Sequence, residues 1–133
     1  MRQGLLVRHE AASAAIVRIR LARDLASYDL PAAAIDDAVL VASELVGNAV
    51  RHTRPTESGT LDVSWHVDAT GVRVCVGDPG DEQPRPRIAG DDEPEGRGLK
   101  IVDAMADEWG VEREARGKTV WAHVPFQRAA VPN

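Results

Sequence analysis

The sequence predicts an α/β (α+β) two-layer sandwich, with helices on one face of a mostly antiparallel mixed sheet. Apolar residues recur every three or four positions in residues 11–28 and 31–52 and every second position in residues 61–67 and 72–76. The resulting order is helix, helix, two strands, a long loop, helix and two strands, which is typical of helices packed on a sheet. A length of 133 residues, of which 44% are hydrophobic, suits one domain with one core.

Two helices are predicted before the first hairpin. The segment 4–9 is consistent with a short strand, and residues 11–28 predict a helix with apolar spacings of three and four. Pro31 disfavours helix at Leu30 and so ends this helix, whereas proline is tolerated in the first turn of the next one. The second helix is expected from about Pro31 to His52, with a buried stripe of Ile35, Ala38, Ala42, Leu45 and Ala49.

The strands are predicted from strict alternation of apolar and polar residues. Residues 61–67 and 72–76 alternate on either side of a turn at 68–71, which indicates an antiparallel hairpin with one apolar face. The remaining elements are a helix and two strands, at about 98–107, 109–114 and 118–125. The outer face of the sheet is expected to meet water or another subunit, because its candidates include Asp62, Ser64, His66, Arg73 and Trp121.

Residues 78–98 lack any hydrophobic period and contain four of the eight prolines. Loops of this length inside a compact domain are usually lids or binding loops, and a plain surface loop is the alternative. Because the segment ends directly at a helix start, we expect a functional loop. Residues 1–126 are expected to form the single domain, followed by a flexible tail at 127–133.

Composition argues against several classes of function. A net charge of −5 and a pI near 5.3 argue against a general binder of nucleic-acid backbones. Cys75 is the only cysteine, so an internal disulfide and a cysteine-rich zinc site are excluded. The longest apolar run is far shorter than a membrane span, and residues 1–10 lack the apolar region of a secretory signal. We therefore expect a cytoplasmic protein with no membrane and no direct nucleic-acid partner.

The first 28 residues are basic although the chain is acidic. They hold two acids, Glu10 and Asp24, against five arginines: Arg2, Arg8, Arg18, Arg20 and Arg23. This pattern fits either a solvated helix face or a docking face for an acidic protein partner.

A carboxylate, an amide and an imidazole share one edge of the second predicted helix. Glu44, Asn48 and His52 recur every four residues, and a step of four rotates only about 40° around a helix. A carboxylate can orient or deprotonate a nucleophile, and a neutral amide oxygen suits magnesium that already has phosphate ligands. A solvated polar stripe is the alternative interpretation of this edge.

Three further segments have chemistry that suits a nucleotide. Asp78 follows a hydrophobic strand directly, where its carboxylate could accept a hydrogen bond from an exocyclic amine, although a simple Asp-Pro-Gly turn fits as well. Gly96 and Gly98 free the backbone at a helix start, which favours anion binding. Thr119 opens the last strand on the face opposite Val120, where its hydroxyl could reach a ligand or a water.

In this order and spacing, the motifs "VASELVGNAVRH", "GRGLKIVDAMADEWG" and "GKTVW" resemble the GHKL ATPase superfamily with its Bergerat nucleotide fold. Within it, the chain is similar to the single-domain anti-sigma-factor serine/threonine kinases, particularly the short ATP-binding regulators of actinobacteria. The resemblance covers about residues 10–125 and implies ATP and Mg²⁺ as cofactors, with an ATP lid at 79–97.

The resemblance also implies a role for each motif residue. Asn48 matches the magnesium-binding asparagine, and Glu44 matches the proposed general base or water-orienting acid. Asp78 matches the carboxylate that binds the adenine amino group, Gly80 the glycine beside the base, and Thr119 the polar residue near the adenine. The phosphate segment corresponds to Gly96, Arg97, Gly98 and Leu99, with Arg97 placed to stabilise transferring charge. Arg51 and His52 lie near the expected phosphates.

The first glycine box departs from the superfamily pattern, because Asp81 and Glu82 follow Gly80 and the second glycine is missing. We therefore keep three hypotheses. The first is a partner-switching kinase that binds a sigma factor, phosphorylates a serine or threonine of a STAS-domain antagonist and forms a homodimer. The second is a nucleotide-binding regulatory module without kinase activity. The third is an interaction domain that has lost nucleotide binding.

Overall fold

A computed structural model describes residues 2–55, 58–77, 99–114 and 117–127 of the chain. The elements follow the predicted order: β1 (Arg2–Arg8), α1 (Ser13–Leu25), α2 (Ala32–His52), β2 (Thr60–Val67), β3 (Gly71–Gly77), α3 (Lys100–Met105), β4 (Glu108–Glu114) and β5 (Gly117–Pro125). None of the helices in these ranges is long and apolar enough to cross a membrane.

One five-stranded sheet runs in the order β1-β2-β3-β5-β4. Each neighbouring pair is antiparallel, so the described strands form an antiparallel sheet rather than a mixed one. Helix α2 packs on β3 and β5 and also contacts α1 and α3. The two-layer α+β architecture is therefore confirmed, with α2 as the central helix.

Helix α1 is shorter than the predicted span of 11–28. At its start, the Ser13 hydroxyl donates to the Arg8 carbonyl at 2.6 Å. At its end, the Ser27 and Tyr28 amides donate to carbonyls only three residues back, which tightens the last turn. The Ser27 hydroxyl also donates to the Asp24 carbonyl at 2.6 Å. These local bonds replace the helical ones and end α1 at Leu25.

Helix α3 is also shorter than predicted, at six residues instead of 98–107. Ala106 adopts an extended conformation, with φ −94° and ψ 146°. The next amide, that of Asp107, donates to the His123 carbonyl of β5. Pairing with the sheet thus ends the helix before its apolar period does.

The core lies between the helices and the inward face of the sheet. Every second residue of the central strands is buried there, including Val63, Val74 and Val120. The Trp65 indole N–H donates to a carboxylate oxygen of Asp24 at 2.6 Å, which ties the end of α1 to β2. Burial of these aliphatic side chains supplies most of the folding free energy.

The outer face of the sheet carries the predicted polar residues and Trp121. The Arg73 guanidinium stacks 4.1 Å above the centre of the Trp121 ring and lies 3.9 Å from a Glu112 carboxylate oxygen. Gly110 pairs with Trp121, and a Cβ at Gly110 would lie 3.1 Å from that ring. Ser64 is buried on this face because Arg2 covers it and donates to its hydroxyl at 2.7 Å.

Candidate functional site

Thr119 and the C-terminal end of α2, with Arg51 and His52, lie at one end of the sandwich. The strand registers place the end of β3 beside the start of β5, through the pair Gly77 and Thr119. They also place the start of β2 beside the end of β1. Helix α2 ends at the same edge, because Thr53 at its C-cap contacts His9, just beyond β1.

Asn48 is buried in this part of α2, with only 2% of its surface exposed. Its side-chain oxygen Oδ1 has no hydrogen-bond partner among the described residues. A buried acceptor without a partner costs about 1–3 kcal/mol, so such atoms are rare in folded proteins. A ligand bound to this amide oxygen is the simplest chemical reason for its position. A cation is one kind of ligand that a neutral oxygen can bind.

The neighbours of Asn48 on its helix edge are more open to solvent. Glu44 and His52 are half-buried, and Arg51 is exposed. The Arg51 guanidinium folds back over Gly47, where a Cβ would lie 3.1 Å from its Nη1 atom. The edge therefore presents a buried amide flanked by a carboxylate, an imidazole and a guanidinium that solvent can reach.

A small hydrogen-bond chain fixes the end of α2. The Thr53 hydroxyl donates to the Ala49 carbonyl at 2.6 Å, so its oxygen can only accept from His9, whose Nε2 lies 2.8 Å away. His9 must therefore carry its proton on Nε2 in this arrangement. The His9 amide in turn donates to the Gly59 carbonyl, which joins the segment before β2 to the end of β1.

Thr119 lies on the outer face of the sheet, opposite the buried Val120 as predicted. Its hydroxyl oxygen sits directly over Gly77, so close that a Cβ at position 77 would clash with it. The sheet thus separates Thr119 from Asn48, which lies on the helix side. This placement does not bring the hydroxyl to the same side as the other candidate residues.

The structure adds Gly77 and Lys118 to the candidate residues at this end, and the sequence motifs had singled out neither. A Cβ at Gly77 would clash with the Thr119 hydroxyl and would lie 3.0 Å from the Lys118 carbonyl oxygen, so glycine fits this position best. Lys118 shares the helix-facing side with Val120 because side chains alternate along β5. The alternation of side chains along "GKTVW" already predicts that Lys118 and Val120 share one face of the strand.

The other predicted site residues fall in two groups. Leu99 is 3% exposed and caps the start of α3, where its carbonyl accepts from the Asp103 amide at 2.8 Å. Outside the described residues lie Asp78, Gly80, Gly96, Arg97 and Gly98. Their roles therefore remain predictions.

The described residues contain no group of three His, Cys, Asp or Glu side chains that could hold a metal ion. Mg²⁺ keeps several waters and takes much of its coordination from substrate phosphates. A single neutral oxygen, such as Asn48 Oδ1, fits that mode, whereas it would not hold a metal by itself.

A second ionic cluster lies at the opposite end of the sheet. His123 Nδ1 is 2.7 Å from an Asp107 oxygen, and Nε2 is 3.0 Å from an Asp68 oxygen and 3.2 Å from the Thr70 hydroxyl. Burial alone would lower the pKa of His123, but the two carboxylates outweigh it and raise the pKa above 6.5. With acceptors at both ring nitrogens, the imidazole has no free base nitrogen to activate Thr70, so this cluster is not a hydrolase triad.

Comparison with known proteins gives a family and a related structure. The family model described as "Histidine kinase-like ATPase domain" matches residues 7–124. No curated protein matches the chain. The crystal structure of the RsbU and RsbW domains of Rv1364c from Mycobacterium tuberculosis is similar, with a TM-score of 0.71 and 25% identity over 98% of this chain. The chain spans about a third of the length of that protein, namely 34%.

Proposed function

The chain belongs to the histidine kinase-like ATPase family, and from this premise we propose that it is a Mg-ATP-dependent serine/threonine protein kinase of the anti-sigma-factor type. It would transfer the γ-phosphoryl group of ATP to a serine or threonine of a STAS-domain antagonist. The observation that carries the proposal is that Asn48 Oδ1 is buried and has no hydrogen-bond partner among the described residues, at the position that matches the magnesium-binding asparagine of the resembled family.

Asn48 would hold Mg²⁺ together with the phosphates of ATP. The match of Asn48 to the family's asparagine and the geometry of its side chain support the same role, because the amide oxygen is buried and lacks a partner among the described residues. When bound, magnesium neutralises charge on the phosphates and lowers the barrier to phosphoryl transfer. The protein's own contribution is to hold this buried amide oxygen in place on α2.

Glu44 would receive or orient the proton of the substrate hydroxyl. It lies one turn before Asn48 on the same helix edge, and it is half-buried, so a substrate can reach its carboxylate. As the hydroxyl oxygen forms its bond to the γ-phosphorus, the bond from phosphorus to the β,γ-bridging oxygen breaks, ADP leaves, and the hydroxyl proton passes to the carboxylate. Arg51 and His52, on the following turn, would contact the phosphates.

The adenine end of the pocket is proposed from the sequence motifs. Asp78 would accept a hydrogen bond from the adenine amino group, and Gly80 would let the backbone pass beside the base. The lid at 79–97 would close on the nucleotide, and the phosphates would contact Gly96, Arg97, Gly98 and the Leu99 amide. Thr119 matches the family's polar residue near the adenine, but its face of the sheet favours Lys118 for that contact.

The partners follow from the proposed function. A kinase of this type would hold a sigma factor in one state and modify the STAS-domain antagonist in the other, in the cytoplasm. The polar outer face of the sheet, with its Arg73–Trp121 stack, offers a surface for a homodimer. Neither nucleic acid nor membrane is expected as a direct partner.

A transfer assay tests the proposal directly. Purified chain, Mg²⁺ and [γ-³²P]ATP are incubated with STAS-domain proteins of the source organism, and label on a serine or threonine of one of them is the expected result. Nucleotide binding measured by calorimetry without any labelled partner would contradict the kinase assignment.

A nucleotide-binding module without kinase activity is the second candidate. Glu82, which stands where the superfamily pattern has its second glycine, favours this module, because an acid there would put negative charge close to the expected nucleotide entrance. Calorimetry with ATP and ADP separates the candidates, since this module binds both without turnover. If Mg-ATP has no effect on melting, nucleotide binding itself is lost, because a ligand specific for the folded state must raise the melting temperature.

A further inference from the structure

Helix α1 exposes large aliphatic side chains to solvent. In the described part of the chain, four large hydrophobic residues are exposed, and two of them lie on this helix: Ile16 at 52% and Ile19 at 61%. Single exposed aliphatics are common on protein surfaces. Ile16 and Ile19 lie one turn apart, and the buried side of α1 already has a complete apolar stripe. The two isoleucines therefore form an exposed apolar patch that the packing of the core does not explain.

The patch points away from the core. Val17, Leu21 and Leu25 are fully buried and mark the inward side of α1. At 100° per residue, Ile16, Ile19 and Arg23 fall within about 60° of one another on the opposite side. This helix therefore has two apolar stripes, and only one of them is needed for folding.

The same outward side is positively charged. Arg20 and Arg23 are exposed, and they lie four residues after Ile16 and Ile19, so each arginine sits one turn beyond an isoleucine. Neither arginine forms an ion pair with a described residue. The only acid of α1, Asp24, accepts a hydrogen bond from the Trp65 indole at 2.6 Å and forms no ion pair with either arginine.

We propose that the α1 face, formed by Ile16, Ile19, Arg20 and Arg23, is a docking surface for an acidic amphipathic helix of a protein partner. The two isoleucines would pack against apolar residues of that helix, and the two arginines would pair with its carboxylates. Only the identity of the partner rests on the proposed function. The surface itself rests on exposure and charge.

The charge of the α1 face favours this occupant over two others. A second copy of the chain that packed this face against itself would bring α1 against α1, and the arginines of the two copies would repel each other. An anionic membrane would attract the arginines but repel the rest of a chain whose net charge is −5. An acidic partner helix matches both the apolar and the basic part of the face.

A defined probe tests the proposal. The probe is an 18-residue fluorescent peptide with leucine at helical spacing and glutamate elsewhere, and a scrambled peptide of the same composition is its control. Anisotropy titrations compare the unmodified chain with Arg20→Glu/Arg23→Glu, with Ile19→Asp and with Leu6→Asp. Leu6 is the matched control, because it is 62% exposed on the outer face of the sheet.

The expected result is binding of the ordered peptide at least several-fold tighter than the scrambled one. The arginine double variant and Ile19→Asp should each weaken it by about tenfold, as the loss or reversal of a few charge and apolar contacts predicts. Leu6→Asp should stay within about twofold. Circular dichroism and thermal melting check that each variant is folded. Ile16→Asp replaces any variant that does not fold.

Three results would overturn the proposal. The first is equal peptide affinity in all variants. The second is binding to vesicles of phosphatidylcholine and phosphatidylglycerol that the α1 variants abolish, with no peptide binding. The third is a concentration-dependent dimer in sedimentation that Ile19→Asp disperses. The phosphoryl-transfer assay reports separately on the proposed function, because a chain that fails to label a STAS-domain protein can still bind the peptide through α1, and the converse also holds.

Discussion

His123 and Asp107 form a hydrogen bond of 2.7 Å between Nδ1 and Oδ1, across the point where α3 gives way to the sheet. The Asp107 amide also donates to the His123 carbonyl, so the two residues are joined through side chain and backbone. On the other ring nitrogen, Asp68 brings in the turn between β2 and β3. The His123 imidazole thus joins β5 to the segment between α3 and β4 and to the turn between β2 and β3.

The first prediction concerns pH. The folded-state pKa of His123 is raised above 6.5, so its contribution to stability is complete below pH 6.5 and is lost as the pH rises through the folded value. Asp68 behaves in the opposite way. Burial acts against its charged form, but hydrogen bonds from Thr70 and Gly71 and the charge of His123 lower its pKa to about 2. Its contribution is complete above pH 3.8 and is lost as the pH falls through about 2.

Urea unfolding across pH 4–9 checks this prediction. The unmodified chain should lose about 1 kcal/mol of unfolding free energy as the pH rises past the His123 pKa, a modest value because Asp68 and Asp107 are partly exposed. His123→Asn should remove that slope, and His66→Asn, at another histidine of the outer face, should keep it. If the unfolding free energy of His123→Asn still falls with pH in the same way, the titrating group is not His123.

The second prediction concerns the contact between Gly77 and Thr119. In Gly77→Ala the new methyl group meets the Thr119 hydroxyl, with the Lys118 carbonyl close behind. We expect a loss of about 1–3 kcal/mol in unfolding free energy, as is usual for overpacking. The double variant Gly77→Ala/Thr119→Ala should recover part of the loss, because the nearest atom is gone. No recovery would mean that the backbone contact with Lys118 dominates.

The sequence predicted the elements and the fold because the apolar period changes clearly from helical to alternating, as in the contrast between α2 and β2. It could not predict where helices α1 and α3 end. The end of α3 depends on bonds such as Asp107 to His123, which join residues 16 positions apart. The end of α1 depends on a competition between helical bonds and the three-residue bonds of Ser27 and Tyr28, which the apolar period does not reveal. Nor could the sequence show that Asn48 is buried without a partner in the part of the chain that the structure describes, or that Thr119 faces away from it, because both depend on how α2 sits on the sheet.

The third prediction concerns Asn48. Asn48→Ala removes a buried acceptor that has no described partner, so the unfolding free energy of the nucleotide-free chain should change by less than about 1 kcal/mol. The same variant should lose most of the stabilisation by Mg-ATP. For the unmodified chain that stabilisation is about 2.7 kcal/mol at a ligand concentration 100 times the Kd. A large loss of stability without nucleotide would instead make Asn48 a structural residue.

The fourth prediction separates the role of Glu44 from that of Asn48. Glu44→Ala should bind Mg-ATP as the unmodified chain does, because in the proposed function its carboxylate acts on the hydroxyl of the protein substrate and not on the nucleotide. Transfer should fall by about 10²–10⁴-fold, which is the usual contribution of a general base. Glu44→Gln is the matched isosteric variant and should show the same pattern. If both Asn48→Ala and Glu44→Ala lose binding equally, the assigned roles are wrong.

The last prediction asks which residue of "GKTVW" contacts the nucleotide. Lys118 lies on the helix side of β5, whereas the Thr119 hydroxyl lies over Gly77 on the outer side. Lys118→Met keeps the length and the apolar stem of the side chain but removes its charge, and we expect it to weaken Mg-ATP binding by about tenfold, the equivalent of one charged hydrogen bond. Thr119→Val should leave the Kd within about twofold, since it alters the face away from Asn48. Calorimetry on both variants decides the matter. The reverse result, with Thr119→Val weakening ATP and Lys118→Met having no effect, would mean that the base reaches around the end of the strand and that the family position applies here unchanged.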